Sequence, residues 1–351
     1  MDREIPKLAK KIKLADVAEA VGVSAITVSR VLRKPELVSE SVRLRVTEAV
    51  ARLGYVPDPA ARALASARTD VLGVLIPSVT NNVFSSVLRG IYNRVEGLPF
   101  NIQLGNTRYS VLEEERLLDV FLRQRPSGLI VSGIDQSARS KALLRQADCP
   151  IVQIMEIGDD PVDMMVGLSH RDAAGAAIRH LQARGYRRIA FLGARMDPRT
   201  RSRLVGYEQV MKEIGLLDER LIVTTPRAST VTLGCELLIE LLSRTTEVDA
   251  VFCNNDDLAI GVLFECQRRR ISVPDDFGIC GFNDLEMMAV ANPPLTSVRT
   301  NREEMGRRAI EMLIARIAGE PIDEPVVDLG FEIVARHSTA GLRPREARRR
   351  P

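Results

Sequence analysis

Apolar side chains recur along this chain with two different periods. Near the N-terminus Leu14, Val17, Ala18 and Val21 lie at helical spacing, stop at Gly22, and resume as Ile26, Val28, Val31 and Leu32 after Ser24, whose short hydroxyl suits an N-cap. The pattern predicts two short helices joined by a tight turn. A third helix is predicted from Ser39, with Val42, Val46, Val50 and Leu53 along one stripe. In GYVPDPAARALASART, Asp58 can cap a helix that starts at Pro59 and runs through Ala60 to Ala65. Helices shorter than ~12 residues are marginal alone in water, so this one is expected to order only when something packs on it. From Val71 the period changes. The runs VLGVLIP, FNIQLGN, GLIVSG and PIVQIM read as buried parallel strands, separated by helical stretches near 82–97, 111–124 and 137–146. IAFLG, LIVTT, DAVFCN and GICGF repeat the scheme between Ile189 and Phe282. The expected fold is therefore an all-α headpiece followed by an α/β core of two doubly wound parallel-sheet subdomains.

The expected partition is a headpiece over 1–56, a hinge over 57–69, a core over 70–340 and a basic tail over 341–351. Within the core, one subdomain takes about 70–163 and 300–327, the other about 164–299 and 328–340. The length of 351 residues agrees, because single cores stop growing near ~250–300 residues. With 45% hydrophobic and 27% charged residues the composition is that of an ordinary globular protein. No apolar run is long enough for a membrane span, and MDREIPKLAKKIK lacks the apolar stretch of a secretory signal, so a cytoplasmic protein with no membrane partner is expected. Five cysteines with no CxxC pair argue against a disulfide framework or a thiolate metal site and read as buried thiols. No cofactor is expected.

Charge adds a direction. The net charge is only +3, yet residues 1–68 hold 13 basic against 8 acidic side chains, and Arg343, Arg345 and Arg348 to Arg350 crowd the tail. A basic head on an acidic body suggests that the head meets a polyanion. The motif there is specific: Ala18 is small where two helices must cross closely, Gly22 can take a positive φ in the turn, and Val28 closes the small core. That spacing is a helix-turn-helix. Its second helix would lie in the DNA major groove with Ala25, Ile26 and Arg30 facing base edges, Arg30 able to bridge a guanine, and with Ser24, Thr27 and Ser29 offering hydroxyls to phosphates. One such head reads a half-site, so a homodimer on two-fold operator DNA is expected.

DVAEAVGVSAITVSRVL followed by LGYVPDPAARALA resembles the headpiece and hinge of the lac/gal repressor family, and the resemblance runs over nearly the whole chain. It implies that paired hinge helices enter the minor groove, held close by Ala61 and Ala65, with Leu64 wedged into the central base step. It also implies a periplasmic-binding-like core. In such folds ligands bind beyond the carboxyl ends of the strands, between the halves. No GxGxxG follows a strand and no GxxxxGK[ST] occurs, which leaves nucleotide cradles unsupported. Asp256, at a helix start after DAVFCN, reads either as a first-turn carboxylate favoured by the helix dipole or, by resemblance, as an acceptor for paired sugar hydroxyls. Arg203 matches the family's ligand-contacting arginine. Phe84 fits its aromatic wall, with core packing as the rival; Asn283 stands where relatives often carry Asp; Glu156 is a weaker candidate at the hinge.

Within the family, GARMDPRTRSRLVGYEQVM and AVFCNNDDLAIG look most like the gluconate-operon repressors. The resemblance implies a repressor controlled by a sugar-acid effector, with Arg203, Asp256 and Arg201 as the groups to hold it. The alternative is a corepressor-dependent regulator that responds to another sugar, a sugar phosphate or a purine. An enzyme is not expected, since His170, His180 and His337 are scattered and no catalytic or metal spacing is visible.

Overall fold

The computed structural model describes residues 12–33, 35–56 and 69–341, in two compact units that divide after Thr69. In the first unit, α1 (Leu14–Val21), α2 (Ala25–Arg33) and α3 (Glu40–Leu53) close on a small core of Val17, Ala18, Val28, Val31, Val46 and Ala49. Gly22 takes the left-handed conformation at φ 70°, which lets the Val23 N–H turn back onto the Ala18 carbonyl at 3.1 Å. Ser24 caps α2 by accepting the Thr27 N–H at 3.1 Å. Ile26 departs from the expected stripe and is 70% exposed. Residues two apart on a helix face nearly opposite ways, so once Val28 and Val31 point inward Ile26 points out. Asp58, Ala61, Leu64 and Ala65, together with the arginine tail, lie outside the described residues.

In the second unit the strands are β1 (Val71–Ile76), β2 (Asn101–Asn106), β3 (Gly128–Ser132), β4 (Ile151–Ile154), β5 (Met164–Gly167), β6 (Ile189–Ala194), β7 (Ile222–Thr225), β8 (Ala250–Cys253), β9 (Gly278–Asn283), β10 (Thr296–Thr300), β11 (Val326–Asp328) and β12 (Phe331–Val334). The helices are α4 (Asn82–Val95), α5 (Val111–Arg123), α6 (Ala138–Arg145), α7 (His170–Ala183), α8 (Pro198–Glu213), α9 (Val231–Arg244), α10 (Asp256–Arg269), α11 (Met287–Val290) and α12 (Arg302–Ala318). They form two six-stranded sheets, ordered β11-β5-β4-β3-β1-β2 and β12-β10-β9-β8-β6-β7. All pairs are parallel except β10 with β12.

The chain passes between the sheets after Gly167, after Thr300 and after Asp328. The first passage falls later than residue 163, because β5 pairs with β4 in the register Val152↔Met164 and so belongs to the first sheet. Only a loop links β4 to β5, so the strand–helix alternation that reveals the other strands is missing there. β10, β11 and β12 also went unread, being short segments set by pairing with distant partners. In the second half, Phe191, Phe252 and Phe282 form a ladder of tilted and edge contacts with centroids 5.9 and 6.4 Å apart. Four of the five cysteines are buried, and Cys149 is half-buried.

Three of the helix pairs that pack on the sheets cross at glycine. A Cβ placed on Gly306 of α12 would fall 2.0 Å from the Val87 carbonyl oxygen of α4, and one on Gly261 of α10 would fall 2.0 Å from that of Val231 in α9. Gly206 of α8 meets the Arg171 carbonyl of α7 at 2.1 Å in the same way. Backbone contact of this kind holds helices closer than side chains would allow.

Candidate functional site

A cleft opens at the carboxyl ends of the strands of both sheets. Its lining includes Asn81, Val83 and Phe84 after β1, Tyr109 after β2 and Met155 after β4 from the first half. From the second half come Ala194, Arg195, Asp197, Arg199, Thr200 and Arg203 after β6, Ser229 after β7, Asn254 and Asn255 after β8, and Asn283 at the end of β9. Every contributor sits where a strand hands over to a loop or helix, the place where doubly wound sheets bind ligands.

Arg203 is the most constrained of these groups. It is 93% buried, with its guanidinium over the Phe282 ring at 3.7 Å and its Nη1 donating to the Asn254 carbonyl. Its Nε and Nη2 both donate to Nδ1 of His170, at 3.3 and 3.2 Å. These bonds leave one N–H on each terminal nitrogen uncommitted. Among the described residues no carboxylate forms an ion pair with it, although Asp197, Glu156 and Asp256 act from farther away. Burial lowers its pKa to about 10, still far above neutrality, so the site holds a desolvated cation with neutral partners.

His170 was passed over in the sequence as one of three scattered histidines. It begins α7, with Nε2 at 3.0 Å from the Met155 carbonyl oxygen. A carbonyl only accepts, so Nε2 carries the proton and Nδ1 is free to accept from Arg203. Burial, with the charges of Arg203 and Arg199 beside it, holds the imidazole well below its usual pKa and therefore neutral.

Arg199, rather than Arg201, joins Arg203 on the cleft wall. Positions 199 and 203 are four apart on α8 and share a face; Arg201 points outward and donates to the Met196 carbonyl at 2.9 Å. Helical spacing alone could have made that choice. Arg199 reaches the first half through Ser132 Oγ at 3.2 Å and lies 5.8 Å from the Phe84 ring centroid. Phe84 is both cleft lining and nearly fully buried core, so its two readings coincide. Tyr109 and Arg195 stack across the cleft at 3.9 Å, and both belong also to the wall of an adjoining cavity of about 350 Å³. Neither was singled out in the sequence.

Asn283 ends β9 with φ 110°, faces the cleft, and makes no side-chain hydrogen bond within the described residues; its carbonyl accepts from Arg302. Glu156 lies beside the cleft outside its lining, with its carboxyl raised by burial against the pull of Arg199. Asp256 corrects the expectation. It is fully buried away from the cleft lining, and its two oxygens accept the Leu285 N–H and the Ser297 hydroxyl, each at 2.7 Å. The side chain turns inward beneath β9 and β10, leaving Asn254 and Asn255 on the wall.

Burial raises the Asp256 pKa to about 7, against the hydrogen bonds from Leu285 and Ser297. The folded chain thus holds this proton to higher pH than an unfolded one would. Its contribution to stability falls as pH climbs from the ordinary carboxyl range toward about 7. Asp256→Ala strands two buried donors and is expected to cost about 1–3 kcal/mol in a urea melt; an unchanged midpoint would remove Asp256 from the scaffold.

In the first unit, Ala25, Ile26 and Arg30 are exposed on α2, Ser29 is half-buried, and Ser24 and Thr27 share a 2.8 Å hydroxyl contact at the helix start. Arg30 forms no ion pair among the described residues. Among the described residues this face presents the Arg30 guanidinium flanked by small and apolar side chains, with the capping hydroxyl of Ser24 already engaged by the helix.

Residues 13–58 match the model of bacterial regulatory proteins of the lacI family, and residues 178–339 match the periplasmic binding protein-like domain. The chain is 41% identical to the HTH-type transcriptional regulator GntR of Pseudomonas aeruginosa, over 93% of this chain and 95% of that protein. A LacI-family transcriptional regulator from Silicibacter pomeroyi has a similar structure, with TM-score 0.86 at 36% identity, covering 93% of this chain and 99% of the other. The lac repressor dimer bound to operator and the anti-inducer ONPF aligns with TM-score 0.82 at 25% identity, covering 94% and 99%. Among the described residues no helix is long and apolar enough to cross a membrane. With both halves of the architecture matched and transcriptional regulators aligned almost end to end, the chain belongs to the lacI family of bacterial regulatory proteins.

Proposed function

We propose that this regulator is a cytoplasmic repressor that grips operator DNA as a homodimer, and that a gluconate-like sugar acid in the cleft sets its affinity for DNA. The observation that carries the effector class is Arg203: a buried cation whose partners are all neutral stabilises an incoming carboxylate more than a screened surface arginine could. Arg199 adds a second guanidinium on the same helix face, shared with the Asp197 carboxylate at 3.8 Å. Asn283 offers an uncommitted amide that can donate to and accept from hydroxyls, and its neutrality spares the ligand's carboxylate a repulsive neighbour. Phe84 and Tyr109 supply flat apolar surface for the C–H faces of the carbon chain. The similarity to GntR supports the same ligand class.

Because the cleft draws on both sheets, a ligand there can bind one angle between the halves better than another, which is the requirement for control. The DNA side of the reading takes Arg30, Ala25, Ile26 and Ser29 as base and phosphate contacts, with Leu64 as the minor-groove wedge. The dimeric lac repressor on operator supports the two-fold arrangement. Arg30→Ala is expected to cost about 1–3 kcal/mol on the cognate operator and to relax preference at one base pair per half-site. Equal loss on every sequence would demote it to a phosphate contact. The proposal is tested by anisotropy titration of a promoter fragment with and without sodium gluconate and its uncharged polyol, sorbitol. A response to gluconate alone is expected; indifference to both overturns the effector assignment.

A further inference from the structure

The imidazole of His170 is one of the side chains that tie the two halves of the core together, beside the Arg199 bond to Ser132 and the stack of Arg195 on Tyr109. Met155 follows β4 of the first sheet, whereas α7, which His170 opens, packs on β8, β9, β10 and β12 of the second. The Nε2–H bond to the Met155 carbonyl therefore spans the two halves close to the first crossover. Met155 holds a left-handed backbone at φ 83°, a conformation unfavourable for a residue with a Cβ that persists only where the surroundings enforce it. On the other side of the ring, Nδ1 receives the side-on fork of Arg203, Nε and Nη2 together. Phe282 lies 5.6 Å from the imidazole and 3.7 Å from the guanidinium, packing against both. Every polar atom of the ring is engaged, so a displacement of Arg203 has to be shared with the Met155 carbonyl.

We propose that His170 is a positioning residue: its Nδ1 aims the free edge of Arg203 at the ligand, and its Nε2–H passes the ligand's grip on that arginine to the first half of the core. The inference rests on the reading of the cleft as an anion site. The two functions of the ring separate in two substitutions. An asparagine amide reaches the place of Nδ1 and can accept from Arg203, but falls short of Met155. A glutamine amide reaches the place of Nε2 and can donate to Met155, but leaves Arg203 without its acceptor.

His170→Gln and His170→Ala are each expected to weaken gluconate binding about tenfold or more in calorimetric titrations, because a charge-assisted bond that fixes the guanidinium is lost. His170→Asn is expected to bind gluconate within about threefold of wild type, yet to lose most of the ligand-induced change in operator affinity. Equal gluconate affinity in all three variants overturns the positioning role. Full coupling in His170→Asn overturns the transmission. A ligand-free measurement keeps this separate from the effector assignment. The chain has three histidines, so 15N-histidine labelling gives a small set of ring signals. His170 should appear as the Nε2–H tautomer, with an Nδ1 resonance that shifts when Arg203→Met removes its donor. If wild type ignores gluconate while that shift is seen, the effector assignment fails and the positioning of Arg203 stands; an Nδ1 signal indifferent to Arg203→Met refutes the positioning directly.

Discussion

Arg203→Ala is expected to remove the response to effector while leaving operator binding in its absence near normal. Truncating one partner of a buried, hydrogen-bonded charge pair costs about 2–5 kcal/mol, a loss of roughly 30-fold to several thousandfold in ligand affinity. The guanidinium is nearly sealed from water, so little screening reduces that figure. Arg203→Lys keeps the charge but not the fork. An ammonium cannot serve His170, Asn254 and a carboxylate in one plane, so this variant should recover only part of the affinity. Arg201→Ala is the internal control: its side chain is exposed and turned away from the cleft, and it should bind effector within about threefold of wild type, as for an ordinary surface change. Calorimetry for binding, with gel shift for the operator response, distinguishes these outcomes. Wild-type affinity in Arg203→Ala would remove the basis for an anionic effector. Folding should suffer less than binding, because the substitution strands two acceptors, His170 Nδ1 and the Asn254 carbonyl, but also takes an unpaired cation out of the interior.

The second large effect concerns the scaffold. Gly306→Ala would place a methyl group 2.0 Å from the Val87 carbonyl oxygen, inside contact distance of rigid helical backbone on both sides. No rotamer can relieve it, so α12 and α4 must part along their length, and Gly90, which faces the Glu303 carbonyl in the same crossing, loses its contact too. The cost is expected at or above the top of the ~1–3 kcal/mol overpacking range. Each kcal/mol lowers Tm by roughly 2–4 °C in a domain of this size. Gly319→Ala offers the comparison. At φ 80° it also caps α12 in a left-handed conformation, but nothing lies within 4 Å of the added atom, so only backbone strain of about 1–2 kcal/mol is at stake. Calorimetric melts in which the two variants fall equally would show that the helix crossing yields more easily than its geometry implies.

Much of the architecture was legible because its causes are local. Ala18, Gly22 and Val28 determine a helix-turn-helix through steric needs within about a dozen residues of one another, and four runs in each half of the core announce strands by composition alone, although β2 and β7, at the sheet edges, are exposed or only partly buried rather than buried as expected. The strands that went unread are those whose identity depends on a distant neighbour: β5 takes its register from β4 without an intervening helix, and β12 exists as an edge only because β10 lies beside it. The candidate site divides the same way. The resemblance to the family was what singled out Arg203, and helical spacing from it would have been enough to prefer Arg199 to Arg201. Asp256 shows the opposite case. Its position at a helix start after β8 was apparent from the chain order, but whether the carboxylate looked into the cleft or under the sheet was decided by Ser297 and the Leu285 N–H, which come from β10 and the turn after β9. Likewise the pairing of Tyr109 with Arg195, and of His170 with Met155 and Arg203, joins residues from different strands and different halves. Local periodicity reports which face of an element is apolar; it carries no information about which remote polar group will meet a side chain once that face is buried, and only the assembled tertiary structure supplies the partner.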